Sequence, residues 1–191
     1  MTALEVVAVA ITLVAVYLTT RQVVWCWPLG MLSAALYGVV FYEARLYAEV
    51  GLQVVYVVLS AYGWWAWLRR AGGEGELRVS RTPSGLRWGL LGLGAIAGAT
   101  LGGLLHRFTG ASLPYIDSTL AAFSIVAQWM QTRKLLEAWG VWIAVDVIYV
   151  GMFAYKALHL TAALYALFLY LAARGHIEWR RSLVGGAEAA A

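Results

Sequence analysis

Five residues of one apolar stretch could do chemistry that lipid contact does not require. Trp139, Trp142, Asp146, Tyr149 and Phe153 follow at intervals of 3, 4, 3 and 4, so a helix sets all five on one face. A carboxylate inside an apolar helix is costly and marks a functional site by default. Asp146 could bind a cation, carry a proton or hydrogen-bond to a neighbouring helix. Similar faces recur along the chain: Gln53, Tyr56, Ser60, Gly63, Trp64 and Trp67; Asp117, Ser124, Gln128 and Gln131; Thr161, Tyr165 and Phe168; Gly30, Ser33 and Tyr37. Lipid offers these groups no hydrogen-bond partner, so they should turn inward. Together they would wall a path with aromatic rings, amides, hydroxyls and one carboxylate. That lining suits a flat heteroaromatic molecule with a polar appendage. Plain helix packing would also produce such stripes. Trp27, Trp67, Trp88, Trp139 and Trp179 lie at the ends of apolar runs and read as membrane-interface belt residues.

The remaining polar residues point to no reaction. Lys134 and Glu137 read as a solvated pair, and Glu5 and Asp117 as helix-start caps. His106, His159 and His176 fall at run edges. No HExxH, phosphate-binding glycine loop or catalytic triad pattern occurs, and the glycine run at 72–75 lacks the lysine that would follow. The single cysteine, Cys26, excludes an intrachain disulfide and a thiolate metal cage. We therefore expect no catalytic residue, metal or cofactor, and not an enzyme.

The elements that must hold these residues are transmembrane helices. Of the 191 residues 62% are hydrophobic and only 13% charged, against roughly 25% charged in soluble domains. A span needs roughly 20 apolar residues. Seven runs approach this: 3–20, 27–42, 47–68, 88–105, 115–130, 139–156 and 159–173. The first reads as a retained span, since no basic segment precedes it and no cleavage site follows. Seven spans put Arg21, Arg69, Arg70, Arg78, Arg81, Arg87, Arg133, Lys134, Arg174, Arg180 and Arg181 on one side, and Arg45, Arg107 and Lys156 on the other. The positive-inside rule makes the first side cytoplasmic, with the N-terminus outside and the C-terminus inside. It also accounts for the net charge of +4 without nucleic acid as a partner.

A shift of 112 residues superimposes the first three spans on the last three. It pairs Thr20 with Thr132, Arg21 with Arg133, Trp27 with Trp139, Tyr37 with Tyr149, Phe41 with Phe153, Gly63 with Gly175 and Trp67 with Trp179. Two three-span units in direct series would be inverted, and the glycine-rich run 88–105 restores parallel orientation. The expected fold is thus all-α, a 3+1+3 parallel repeat with the substrate near the midplane. Its parts are 1–68, a cytoplasmic linker 69–87, a linker span 88–105, the second repeat 106–181 and a disordered tail 182–191.

Several motifs carry a family resemblance. The first half reads Trp27-Pro28-Leu29-Gly30, Leu52-Gln53 and Tyr62-Gly63-Trp64-Trp65-Ala66-Trp67. The second reads Ala127-Gln128, Glu137-Ala138-Trp139, Asp146-Val147, Leu164-Tyr165 and Trp179. This resembles the PnuC family of bacterial nicotinamide riboside transporters over nearly the whole chain. The resemblance implies a fold similar to the SWEET sugar transporters and facilitated diffusion across the bacterial inner membrane. It also implies trapping by a cytoplasmic kinase and a homotrimer in the lipid bilayer. Related branches carry thiamine, riboflavin or deoxynucleosides. By similarity the substrate-binding residues would be Gln53, Tyr56, Tyr62, Trp64, Gln128, Trp142, Asp146 and Tyr149, joined by Ser60 and Tyr165 from the inward faces. The family often shows an amide two residues before the Tyr-Gly-Trp motif; here that position is Ser60, in a chain without asparagine.

Overall fold

The computed structural model describes residues 3–43, 45, 47–69, 77–108, 113–155 and 157–188. Seven helices follow in order: α1 (Ala3–Thr20), α2 (Cys26–Glu43), α3 (Tyr47–Arg69), α4 (Ser84–Phe108), α5 (Pro114–Thr132), α6 (Ala138–Tyr155) and α7 (His159–Glu188). All three prolines sit where a helix tolerates a missing N–H: Pro28 in the first turn of α2, Pro83 just before α4, and Pro114 opening α5. Each expected span is present, most of them extended by one to four residues at their ends.

The repeat is visible in the backbone. Left-handed residues close the tight turns at Gln22 (φ 56°) and Lys134 (φ 51°), and again at Arg45 (φ 59°) and Ala157 (φ 57°). Each pair is separated by 112 positions. The same hydrogen bonds shape the equivalent turns, Val23 N–H to the Leu18 carbonyl (3.0 Å) and Leu135 N–H to that of Met130 (3.1 Å).

Helix contacts close a ring in the order α1, α2, α3, α5, α6, α7 and back to α1, while α4 packs on α5 outside it. Gly94, Gly98 and Gly102 let α4 approach closely; a Cβ at Gly98 would lie 2.7 Å from the Thr119 Cα. The outer faces are apolar, with Val54, Val58, Leu93 and Ile96 exposed as lipid-facing residues should be. Five helices, α1, α3, α4, α6 and α7, are long and apolar enough to cross a membrane. α2 and α5 fall short on composition: α2 carries Trp27, Pro28, Ser33, Tyr37, Tyr42 and Glu43, and α5 is rich in polar residues that it buries. α5, held between α3, α4 and α6, buries Ser118, Ser124, Gln131 and Thr132. The chain is a multi-pass, all-helical membrane protein.

Four features differ from the sequence expectation. First, Trp27, Trp67, Trp139 and Trp179 are not belt residues. They pack together almost free of solvent, at 3%, 5%, 1% and 0% exposure. Trp27 meets Trp67 edge-on at 5.3 Å, Trp139 meets Trp179 edge-on at 5.4 Å, and Trp67 and Trp179 lie 6.2 Å apart. Only Trp88, 69% exposed, keeps a lipid-facing position. Second, α7 continues through Glu188, so the tail is helical over 182–188; its last residues lie outside the described set. Third, α5 has Leu113 at its N-cap without a side-chain cap, so Asp117 acts from within the first turn, the position Glu5 holds in α1.

Fourth, the linker is not free where it is described. The glycine run at 72–75 lies outside the described residues, but Ser80 pairs with Leu135 in a parallel bridge. Ser80 N–H donates to the Lys134 carbonyl, and Leu136 N–H donates to the Ser80 carbonyl. Thr82 donates twice to the Glu137 carboxylate, from its N–H and its hydroxyl, both at 2.7 Å. Lys134 lies over the Trp67 ring at 4.5 Å. Lys134 and Glu137 therefore anchor different partners instead of forming a solvated pair. Partial burial opposes ionisation of Glu137, but the Thr82 hydrogen bonds outweigh it and hold the carboxyl below its ordinary 4.5. A depressed carboxylate stabilises the fold above its unfolded pKa, and that contribution is lost as pH falls through the folded value. Thermal unfolding should thus show an acid-side loss of stability below about pH 4.5 that Glu137→Gln reduces. Thr82→Val should cost roughly 1.5–3 kcal/mol at neutral pH, the range for a hydrogen bond to a charged group.

Candidate functional site

The six-helix ring encloses a cavity of about 920 Å³ to which α4 contributes nothing. At one end it is floored by the buried Cys26, Trp27 and Trp139; at the other, Leu160 is 70% exposed and Glu49 is also exposed. The cavity is therefore closed at the Trp cluster and open at the opposite end.

Helical periodicity puts the side chains there. All five residues of the α6 stripe line it: Trp139, Trp142, Asp146, Tyr149 and Phe153. α3 adds Gln53, Tyr56 and Ser60; α5 adds Ser124, Gln128 and Gln131; α7 adds Thr161, Tyr165 and Phe168; α2 adds Gly30, Ser33 and Tyr37. Tyr149 stacks on Phe153 at 5.7 Å and lies 4.6 Å from Tyr165, which closes the triangle to Phe153 at 5.2 Å. The repeat-equivalent pair Tyr37 and Phe41 stacks at 5.8 Å on α2. Gln128 Nε2 donates to Ser60 Oγ at 3.4 Å, joining α5 to α3 across the cavity wall. An amide thus stands beside Ser60 although residue 60 itself is not one. Tyr56 is within hydrogen-bonding reach of Ser124.

Asp146 is 4% exposed and lines the cavity. Among the described residues no hydrogen bond or ion pair satisfies its carboxylate, so the structural hydrogen bond weighed from sequence is not made. Glu5 and Glu49 also line the cavity, and among the described residues no lysine or arginine does. Three carboxylates and aromatic walls give the cavity the chemistry to receive a flat cation.

Of the ten expected site residues, Gln53, Tyr56, Ser60, Gln128, Trp142, Asp146, Tyr149 and Tyr165 come together; Tyr62 and Trp64 do not. Tyr62 lies about 200° around the helix from Ser60 and accepts a hydrogen bond from Arg133 at 3.3 Å. Trp64 falls below the cavity floor, where Trp27 has already filled the interior against Gly63, and is 37% exposed. Sequence reasoning missed the whole of α1, which contributes Glu5, Thr12 and Thr19. Their spacing of seven residues, on one face of an otherwise apolar helix, was the available signal. Thr12 also donates to the Ala8 carbonyl at 2.8 Å and meets Ser33, tying α1 to α2.

Comparison with known proteins agrees with this architecture. The chain is 27% identical to the nicotinamide riboside transporter PnuC of Escherichia coli (strain K12) over 178 residues, covering 80% of this chain and 74% of the relative. It is 25% identical to the riboflavin/roseoflavin transporter RibM of Streptomyces davaonensis over 170 residues, covering 87% and 79%. A crystal structure of the vitamin B3 transporter PnuC shares the fold with a TM-score of 0.75 at 22% identity, over 93% of this chain and 80% of the other. Residues 2–181 match the family model described as Nicotinamide mononucleotide transporter. With almost its entire length so matched, the chain belongs to this family of membrane transporters, the PnuC family.

Proposed function

We propose that the protein carries nicotinamide riboside across the bacterial inner membrane by facilitated diffusion. The observation that carries this reading is the cavity lining: Asp146, Glu5 and Glu49, aromatic rings from α2, α6 and α7, and no basic residue among the described ones. The nicotinamide ring of the riboside is a permanent cation that can stack, and its ribose and carboxamide offer partners for Gln53, Gln128 and Ser60. A phosphorylated nucleotide would bring roughly −1.5 to −2 charges into the same acidic chamber. The cavity therefore favours the nucleoside over the mononucleotide. The same repulsion explains how intracellular phosphorylation by a kinase would trap the product and drive net uptake without a coupling ion.

The basic-residue bias supports a cytoplasmic Trp-cluster end and an outward-facing open end. In that orientation the structure represents the state that accepts substrate, and release requires the Trp floor to part. A homotrimer is part of the same proposal, on family resemblance alone.

The likeness to a riboflavin transporter favours a second reading, in which the ligand is another vitamin. Riboflavin is neutral and gains nothing from three carboxylates; thiamine is cationic and is the stronger competitor. Calorimetry on the detergent-purified protein should show saturable binding of nicotinamide riboside, weaker displacement by thiamine and little by riboflavin. Preference for riboflavin would refute the charge argument, and binding of none of the three would refute the vitamin assignment.

A further inference from the structure

The pseudo-symmetry supplies an internal control for the protein's charged surface. The two seams between repeats, α1 against α7 and α3 against α5, are equivalent under the 112-residue shift. At the α1–α7 seam, Glu178 bridges two guanidiniums, Arg174 at 2.9 Å and Arg21 at 3.9 Å. At the α3–α5 seam the equivalent of Arg21 is Arg133, but Glu178 is replaced by Ala66 and Arg174 by Tyr62. Among the described residues the anion is missing from this seam while the cation remains.

What surrounds Arg133 is a ladder of rings and guanidiniums. Arg133 lies over Trp129 at 5.8 Å and donates to the Tyr62 hydroxyl at 3.3 Å. The Tyr62 ring sits 5.9 Å from Trp65, and Arg69 lies over Trp65 at 5.2 Å. Both arginines are exposed, and Trp65 is 53% exposed. Among the described residues no carboxylate pairs with either. The ladder lies at the Trp-cluster end of α3 and α5, where helices meet the membrane interface and where tryptophan, tyrosine and arginine favour lipid headgroups.

We propose that the α3–α5 seam binds the phosphate of an anionic phospholipid between Arg133 and Arg69, supplying the negative charge that Glu178 supplies at the other seam. Arginine forks fit phosphate oxygens, and the flanking Trp129, Trp65 and Tyr62 suit the headgroup and glycerol region. A soluble phosphate shares the headgroup chemistry, but it would gain nothing from the exposed rings and adjoining apolar helix faces. The bound lipid would tie the first repeat to the second at the end closed by the Trp cluster.

Native mass spectrometry of the full-length protein in detergent tests this with dioleoyl-phosphatidylglycerol against dioleoyl-phosphatidylcholine. The expected result is one phosphatidylglycerol retained per chain in preference to phosphatidylcholine, unaffected by millimolar inorganic phosphate. Arg133→Gln and Arg69→Gln should each weaken retention by roughly tenfold or more, as loss of a charge-assisted hydrogen bond implies. Arg181→Gln, the repeat equivalent of Arg69→Gln, should have no effect. Glu178→Ala, which frees Arg21 and Arg174, should add a second retained phosphatidylglycerol. Monodisperse elution of each variant establishes that it is folded. Equal retention of the two lipids, preference persisting in the Arg69→Gln/Arg133→Gln double variant, displacement by inorganic phosphate, or no additional lipid in Glu178→Ala would each overturn the proposal.

Discussion

Asp146→Asn should abolish tight binding of a cationic nucleoside while leaving the protein folded and more heat-stable. The substitution keeps the shape of the side chain and removes its charge. In the folded protein the Asp146 carboxylate is 4% exposed and has no hydrogen-bond or ion-pair partner among the described residues. A buried, uncompensated carboxylate costs stability, and its removal should recover some of it, as replacements of strained functional residues often do. Removing one partner of a desolvated charge pair costs a ligand about 2–5 kcal/mol, which converts to a loss of roughly 30-fold to several-thousand-fold in affinity. Calorimetry and thermal unfolding on the same preparation read both quantities. If affinity holds and stability falls, Asp146 is a structural residue and the cation argument fails at its centre.

The largest effect on stability is expected at two glycines of equivalent position. A Cβ at Gly63 would stand 2.6 Å from ring atoms of Trp27, and one at Gly175 would stand 2.6 Å from ring atoms of Trp139. Neither ring can give way. Trp27 is fixed edge-on against Trp67, Trp139 is fixed edge-on against Trp179, and the four rings are almost fully buried. Gly63→Ala and Gly175→Ala should therefore each lose roughly 3 kcal/mol, at or beyond the upper end for overpacking. Gly151→Ala meets nothing within 4 Å and should be neutral or stabilising by up to about 1 kcal/mol, as for an exposed helical glycine. Unfolding followed by tryptophan fluorescence compares the three. Similar melting for all of them would show that the Trp cluster yields, and with it the reading of that cluster as a rigid floor.

Much of this architecture was legible without coordinates because a membrane leaves so few options. Backbone groups in lipid must be satisfied within the segment, so seven apolar runs became seven helices. The fixed period of the helix then made Trp142, Asp146, Tyr149 and Phe153 share a face wherever α6 went, and the cavity uses that face. The 112-residue repeat determined that the turns at Gln22 and Lys134, and at Arg45 and Ala157, would adopt matching left-handed residues.

The tertiary structure decided what periodicity cannot, namely depth along each helix and which neighbour a helix end meets. Trp27 and Trp139 carry the same sequence signature as belt tryptophans, apolar residues at the ends of runs. Tight turns and the glycines at 63 and 175 direct them inward to form the floor. Trp64 lies near the right angle on α3 but beneath that floor, and so never reaches the cavity. The anchoring of the linker at Ser80 and Thr82 has no sequence signal because their partners, Leu135 and Glu137, lie more than fifty residues away. Helical period gives the direction of a side chain; only packing of six helices around one cavity assigns what stands opposite it.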